Sequence, residues 1–249
     1  MRHYLFIDDS RIEGLGISSL GGLLIPGDEY ARIQGLFRDI KVDMYGDAMA
    51  PVKWSPPGVD DVVFAKQRSR SLDAIRHEVS RLLGQVNGAF IFCLIDEQGR
   101  RVNRASRIRF TKNALEFLCQ RTQMEMCSRS IEPCVSVVLE MPGGGDEGQI
   151  SRYYNQIRSE GSIYPNFSIA LTVLDHTLFL THDYMCEGIQ LIDMAVGATC
   201  FAVKGRGTQF FEYFKDKVRR GPGDRGVKGY GIVVYPSNAT IADSLCSTC

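Results

Sequence analysis

The feature that most constrains this chain is a set of short, uninterrupted apolar runs separated by helix-length stretches. Residues 89–95 (Ala-Phe-Ile-Phe-Cys-Leu-Ile) and 135–139 (Val-Ser-Val-Val-Leu) are too short for helices and too apolar for half-exposed strands. Each predicts a strand buried on both faces. Residues 4–7 predict a similar strand that stops at Asp8-Asp9-Ser10. Residues 15–25 predict a second strand, paired with the first as a hairpin and closed by Pro26-Gly27-Asp28. Residues 167–174 predict a further strand ending at Asp175, and residues 231–235 an edge strand. Between these runs the spacing predicts helices over about 28–42 (capped by Asp28), 65–83, 110–127, 148–160 and 187–203. Pro51, Pro56, Pro57 and Gly58 predict a loop around Val52-Lys53-Trp54. Alternation of buried strands with helices indicates the α/β class. The two consecutive opening strands make the sheet mixed, with helices on both faces.

The 249 residues suit one large domain with an insertion. Lys+Arg and Asp+Glu are 29 each, which excludes a chain-wide polycation and confines any nucleic-acid contact to local patches. The apolar opening is too short for a secretory signal, and no window approaches a membrane span. The expectation is a soluble cytoplasmic protein with reduced thiols and no membrane partner. Cys246 and Cys249 have a CxxC spacing, but no second pair of ligands completes a zinc site. Residues 142–148 (Pro-Gly-Gly-Gly-Asp-Glu-Gly) lack the Lys-Ser/Thr of a phosphate-binding loop and read as a turn. The carboxylate spacing of haloacid-dehalogenase phosphatases is absent, because position 10 is Ser.

Three carboxylates stand where sheets of this kind place their ligands. Asp8 ends the first strand, Glu140 ends a buried central strand, and Asp193 lies inside the apolar helix Gly188–Gly197. Each alone reads as a strand end or a solvated helix position. A carboxylate among apolar neighbours is costly unless it is paired or coordinated. Convergence of Asp8, Glu140 and Asp193 on one point would need divalent cations, and Mg²⁺ or Mn²⁺ suits such oxygen donors.

The motifs around these residues resemble the bacterial and phage family known as domain of unknown function 3800. Phe6-Ile7-Asp8-Asp9-Ser10 is similar to its opening strand, and Ile189-Gln190-Leu191-Ile192-Asp193-Met194-Ala195-Val196-Gly197 to its closing helix. Leu20–Ile25 resembles its second strand, and Val52-Lys53-Trp54-Ser55 its lysine–tryptophan loop. The likeness spans residues 4–203. It implies a ribonuclease H-like domain over 1–203, with a helical insertion at about 28–84 and a basic C-terminal extension at 204–249. It further implies Asp8, Glu140 and Asp193 as catalytic residues, and these with Asp9 as metal ligands. Glu116 matches a fourth position in some relatives. Asp9 and Arg11 depart from the family's Glu and Gly, and a glutamate before the lysine loop is absent.

Residues 100–112 carry six cations and no acid: Arg100, Arg101, Arg104, Arg107, Arg109 and Lys112. With Lys53 they are the expected nucleic-acid contacts, against the alternative of a solvated face. Residues 204–228 add eight cations against three acids. Phe210, Phe211, Tyr213 and Phe214 read as core packing of a short helix. The expected function is a metal-dependent nuclease cleaving DNA or RNA, in a phage-defence or mobile-element setting by virtue of the resemblance. The alternative is a non-catalytic scaffold that binds nucleic acid or a partner ATPase. A third is phosphate transfer on small nucleotides.

Overall fold

The computed structural model describes residues 1–249 apart from 13–15, 98–102, 129–133, 143–144, 164–167, 224 and 238. Strands β1 (Arg2–Ile12) and β2 (Ile17–Pro26) form the expected antiparallel hairpin, with Asp8 opposite Gly21. Helix α1 (Gly27–Tyr45) follows without a break. Its N-cap is Pro26 rather than Asp28, which lies in the first turn, where its charge suits the helix dipole. The expected helix over 65–83 is two pieces, α2 (Ala65–Arg68) and α3 (Leu72–Gly84). The break has a local cause: the Ser71 hydroxyl accepts a hydrogen bond from the Ala74 N–H and starts α3 afresh.

Strand β3 (Ala89–Asp96) precedes α4 (Arg104–Ser128), which begins well before the expected residue 110. Asn103 caps it by exchanging hydrogen bonds with Ser106, so Arg107 and Arg109 lie on a helix rather than a loop, on the same helix as Lys112. Strand β4 (Cys134–Glu140) and α5 (Glu147–Glu160) follow. A short pair, β5 (Ser162–Ile163) and β6 (Ser168–Ile169), precedes β7 (Leu174–Thr181). The strand expected at 167–174 is thus displaced to 174–181. Leu171 and Val173 are buried in the core ahead of β7, and β7 itself is half-exposed and rich in polar residues. Helix α6 (Glu187–Val203) has the expected limits. Beyond it, β8 (Ile232–Tyr235) and α7 (Asp243–Thr248) complete the chain.

The main sheet has the order β7-β4-β1-β2-β3-β8. The pairs β1–β2 and β2–β3 are antiparallel, whereas β1–β4, β4–β7 and β3–β8 are parallel. Side chains alternate between its faces. Phe6, Leu23, Ile25, Phe90, Phe92 and Leu94 meet α1, α3 and α6 on one side. Leu5, Ile7, Leu20, Leu24, Ile91 and Val137 meet α4 and α5 on the other. Each such side chain contributes about 1.5–3 kcal/mol by leaving water. Phe210, Phe211, Phe214 and Ile232 of the C-terminal extension belong to the first core, so these parts of the extension pack onto the sheet. Among the described residues, no helix is long and apolar enough to cross a membrane.

Helix α6 is apolar on nearly every side and almost wholly buried. It lies unusually close to its neighbours. A Cβ on Gly21 would meet Val196 at 2.2 Å, and one on Gly197 would meet the Trp54 ring at 2.1 Å. Glycine at these positions lets α6 approach the end of β1 and the 52–54 loop.

Candidate metal centre

The parallel register pairs Ile7 with Leu139, so the next residue along each strand is Asp8 on β1 and Glu140 on β4. One carboxylate oxygen from each of Asp8, Asp9 and Glu140 lies within 4.8 Å of the others. Asp8 is fully buried, Glu140 is half-buried and Asp9 is exposed at the mouth. From the facing helix, Asp193 brings a fourth carboxyl into contact with Asp8. Asp193 accepts the Trp54 backbone N–H at 2.5 Å. Asp8 and Asp193 therefore share one side of the sheet.

The electrostatics are those of a crowded acid cluster. Burial pushes the Asp8 carboxyl well above the ordinary carboxylate range, and the Glu140 contact and the Asp193, Glu140 and Asp9 charges add to it. Asp193 is pushed up to about 6 by burial, with the Glu140 charge acting the same way. Lys53 and the Trp54 N–H pull against that rise. Asp8 Oδ1 accepts the Asp9 N–H at 2.7 Å, but the buried Oδ2 receives no hydrogen bond. A buried acceptor left without a donor is unfavourable. An all-carboxylate donor set around such an oxygen fits a hard divalent cation such as Mg²⁺ or Mn²⁺.

Lys53 enters this cluster. Its Nζ lies 3.1 Å from Glu140 and 2.6 Å from Asp183, so it faces the carboxylates rather than an open surface. Burial disfavours its ammonium, but the Asp193 and Glu140 charges and the Asp183 hydrogen bond outweigh that and raise its pKa. The loop around it is fixed through five of its backbone groups. Gln190 accepts the Val52 N–H, Gln67 accepts the Lys53 N–H and donates to the Lys53 carbonyl, and Asp193 accepts the Trp54 N–H. Arg76 closes the set by donating to the Trp54 carbonyl at 2.8 Å. Gln190 also donates to the Asp183 carbonyl at 3.0 Å. Gln190 and Asp193 thus tie the loop to α6.

Asp183 is the site residue that sequence reasoning missed. It sits in the 3₁₀ turn Asp183–Met185, just before α6, in a stretch with no periodicity. Its one sequence signal is an acid shortly before a helix that carries another candidate.

The expected basic contacts divide. Arg107 lines a cavity of about 70 Å³ that Asp9, Glu140 and Asp146 also border. Arg109 and Lys112 line a separate groove of about 590 Å³ with Gln149 and Tyr153, and the Lys112 ammonium lies 5.4 Å from the Tyr153 ring centre. Arg100, Arg101 and the Arg104 side chain fall outside the described residues. Glu116 is buried and bonded to Tyr153 and Ser162, which makes it a structural acid between α4, α5 and β5. Cys246 and Cys249 are free and half-buried against the core. No protein-family model matches the sequence, and no curated protein matches it.

Proposed function

We propose that the chain is a divalent-metal-dependent nuclease with a ribonuclease H-like fold, hydrolysing phosphodiester bonds of DNA or RNA. The observation that carries this reading is the cluster of Asp8, Asp9 and Glu140 on β1 and β4, with Asp193 of α6 touching Asp8, beside a buried Asp8 oxygen without a donor. The strand order supports it: three antiparallel strands, then two that join parallel to the first, with the last helix returning over β1. The motif resemblance to the domain of unknown function 3800 family points the same way.

Asp8, Asp9, Glu140 and Asp193 are the residues that would hold the ion. When bound, a divalent cation there would supply an activated water and stabilise the leaving oxygen. The chain's own groups prepare the site. The Trp54 N–H and the Lys53 charge favour the ionised form of Asp193 against the cost of burial, and the Lys53 ammonium orients Glu140. Arg107 stands at the mouth, where a substrate phosphate must pass. Glycine at 21 and 197 lets α6 pack closely against β2 and the 52–54 loop.

One observation favours the alternative of a non-catalytic scaffold. The Lys53 ammonium already offsets the Glu140 charge, as it would in a site that holds no ion. Cleavage assays on labelled single- and double-stranded DNA and RNA, with Mg²⁺, Mn²⁺ or EDTA, separate the two. Cation-dependent cleavage supports the nuclease, and nucleic-acid binding without cleavage under every condition supports the scaffold.

A further inference from the structure

The 52–54 loop has a second side. There the Trp54 ring, packed on Gly197 one turn beyond Asp193, forms the wall of a cavity of about 160 Å³. Its charged lining is entirely cationic: Arg11, Arg76, Lys204 and Arg206, with Ser10 and Ser55 adding hydroxyls. Ser10 follows Asp9 directly on β1. The Trp54 N–H is bonded to Asp193, so the cavity and the acid cluster share that loop as a wall.

Two of these cations are partly engaged. Arg11 meets Glu97 at 3.3 Å, and Arg76 meets the exposed Asp73 at 3.0 Å. Arg76 is also held flat, 4.4 Å from the Trp54 ring, while its Nε is buried without a hydrogen-bond partner. Lys204 and Arg206 form no ion pair among the described residues. Four cations around one recess leave a local positive charge that the two ion pairs offset only in part, which favours an anion there.

We propose that this cavity receives a phosphate group of a nucleic-acid strand whose neighbouring phosphodiester lies at the Asp8–Asp9–Glu140 centre. The proposal rests on the nuclease reading of that centre. A phosphate offers acceptor oxygens to Lys204 and Arg206, which form no ion pair among the described residues, and a guanidinium group matches its geometry. The volume is below the roughly 300 Å³ at which cavities begin to enclose a drug-sized ligand, which selects a phosphate over a whole nucleotide. The placement also answers a difficulty of the acid cluster, which by itself repels the polyanion. A phosphate anchored in the cationic recess beside it offsets that repulsion. Contacts of this type fix the strand's position and carry no sequence information.

The test measures binding in EDTA, where no cleavage occurs. Fluorescence anisotropy is recorded with labelled single-stranded hexanucleotides bearing a 5′-phosphate, a 3′-phosphate or neither. The proteins are the full chain, the double variant Lys204→Ala/Arg206→Ala, and a charge-matched control, Lys66→Ala/Arg81→Ala, whose exposed cations do not line the cavity. The double variant is expected to lose at least tenfold in affinity. The slope of log K against log salt should shrink by about 1.4, two contacts at about 0.7 each on a single strand. The control should bind as the parent does. If the loss occurs only with one end-phosphate, the cavity takes a terminal phosphate monoester. If it occurs with all three probes, it takes an internal phosphodiester. Equal binding by the double variant and the parent overturns the proposal, as does a parent chain that binds none of the probes. Cleavage in Mg²⁺ or Mn²⁺ is scored separately: a chain that cleaves while the double variant binds normally keeps the nuclease reading and loses the cavity. A chain that loses binding in the double variant but never cleaves keeps the cavity and loses the nuclease.

Discussion

Asp193→Asn replaces a buried carboxyl with an amide of the same shape. The Asn oxygen still accepts the Trp54 N–H, and its NH₂ can donate to the Asp8 carboxylate it touches. Lys53 retains Glu140 and Asp183. What disappears is one negative charge from a cluster that already contains Asp8 and Glu140. Raising that carboxyl from 3.8 to about 6 makes its ionised form unfavourable by about 3 kcal/mol at neutral pH. The metal-free variant at pH 7.5 is therefore expected to gain stability, by up to about 3 kcal/mol. For a chain of this length that is a rise in Tm of about 6–12 °C. Added Mg²⁺ or Mn²⁺ should then stabilise the variant far less than the parent, and any cleavage should fall by orders of magnitude. Differential scanning fluorimetry in EDTA and in a divalent-ion titration reads both effects. A variant that melts below the parent in EDTA would refute the reasoning. Asp193 would then act chiefly as the acceptor that holds the 52–54 loop.

The same linkage fixes a pH dependence. Asp8 and Asp193 have folded-state pKa values above their unfolded ones, so the folded chain takes up protons first as pH falls through about 6. The metal-free protein should accordingly be more stable at pH 5 than at pH 7.5, and millimolar Mn²⁺ should raise Tm more at pH 7.5 than at pH 5; a Tm that falls steadily from pH 7.5 to 5 in EDTA contradicts this. Lys53→Met removes the ammonium between Glu140 and Asp183 while keeping much of its length. Metal-free stability should drop by about 1.5–3 kcal/mol, as when charged hydrogen bonds in a partly buried site are lost, and divalent ions should restore part of it. Urea denaturation with and without Mg²⁺ measures both, and an unchanged midpoint would show that Lys53 is a spectator. Gly197→Ala places a methyl group against the Trp54 ring and should cost about 1–3 kcal/mol through overpacking. Isothermal titration should show weaker Mn²⁺ binding in that variant, and parent-like binding would mean that the loop and the acid cluster are not coupled.

Much of this arrangement was legible because its determinants are local. Continuous apolar runs at 89–95 and 135–139 had one reading, and both strands lie there within a residue. The acids Asp8, Glu140 and Asp193 stood out because each interrupts or ends an apolar segment, where a charge needs a reason. Apolar patterning puts the edge strand β7 seven residues early because β7 is half-exposed and polar, while the apolar residues ahead of it serve loop packing. The start of α4 was hidden by a run of arginines that reads as a solvated loop, although Arg is a good helix former and Asn103 supplies the cap. Lys53 was singled out, but as a phosphate contact. Its direction depends on Gln67, Gln190 and Asp193, which lie 14, 137 and 140 residues away in sequence, and no local pattern encodes such a clamp. Asp183 and the Arg11–Arg76–Lys204–Arg206 recess escaped for the same reason: they are assembled by packing of loops against α6 rather than by spacing.

The account's central claim is that the Asp8–Asp9–Glu140–Asp193 cluster is a divalent-cation centre that cleaves phosphodiesters. Its most direct measurement follows cleavage of labelled single- and double-stranded DNA and RNA by the parent chain and by Asp8→Asn, in Mg²⁺, in Mn²⁺ and in EDTA. The account predicts cleavage of at least one substrate with a divalent ion, none in EDTA, and loss by orders of magnitude in the folded Asp8→Asn variant. Cleavage that persists in EDTA, or equal cleavage by the parent and Asp8→Asn, would contradict it, as would the absence of cleavage from every substrate with either ion.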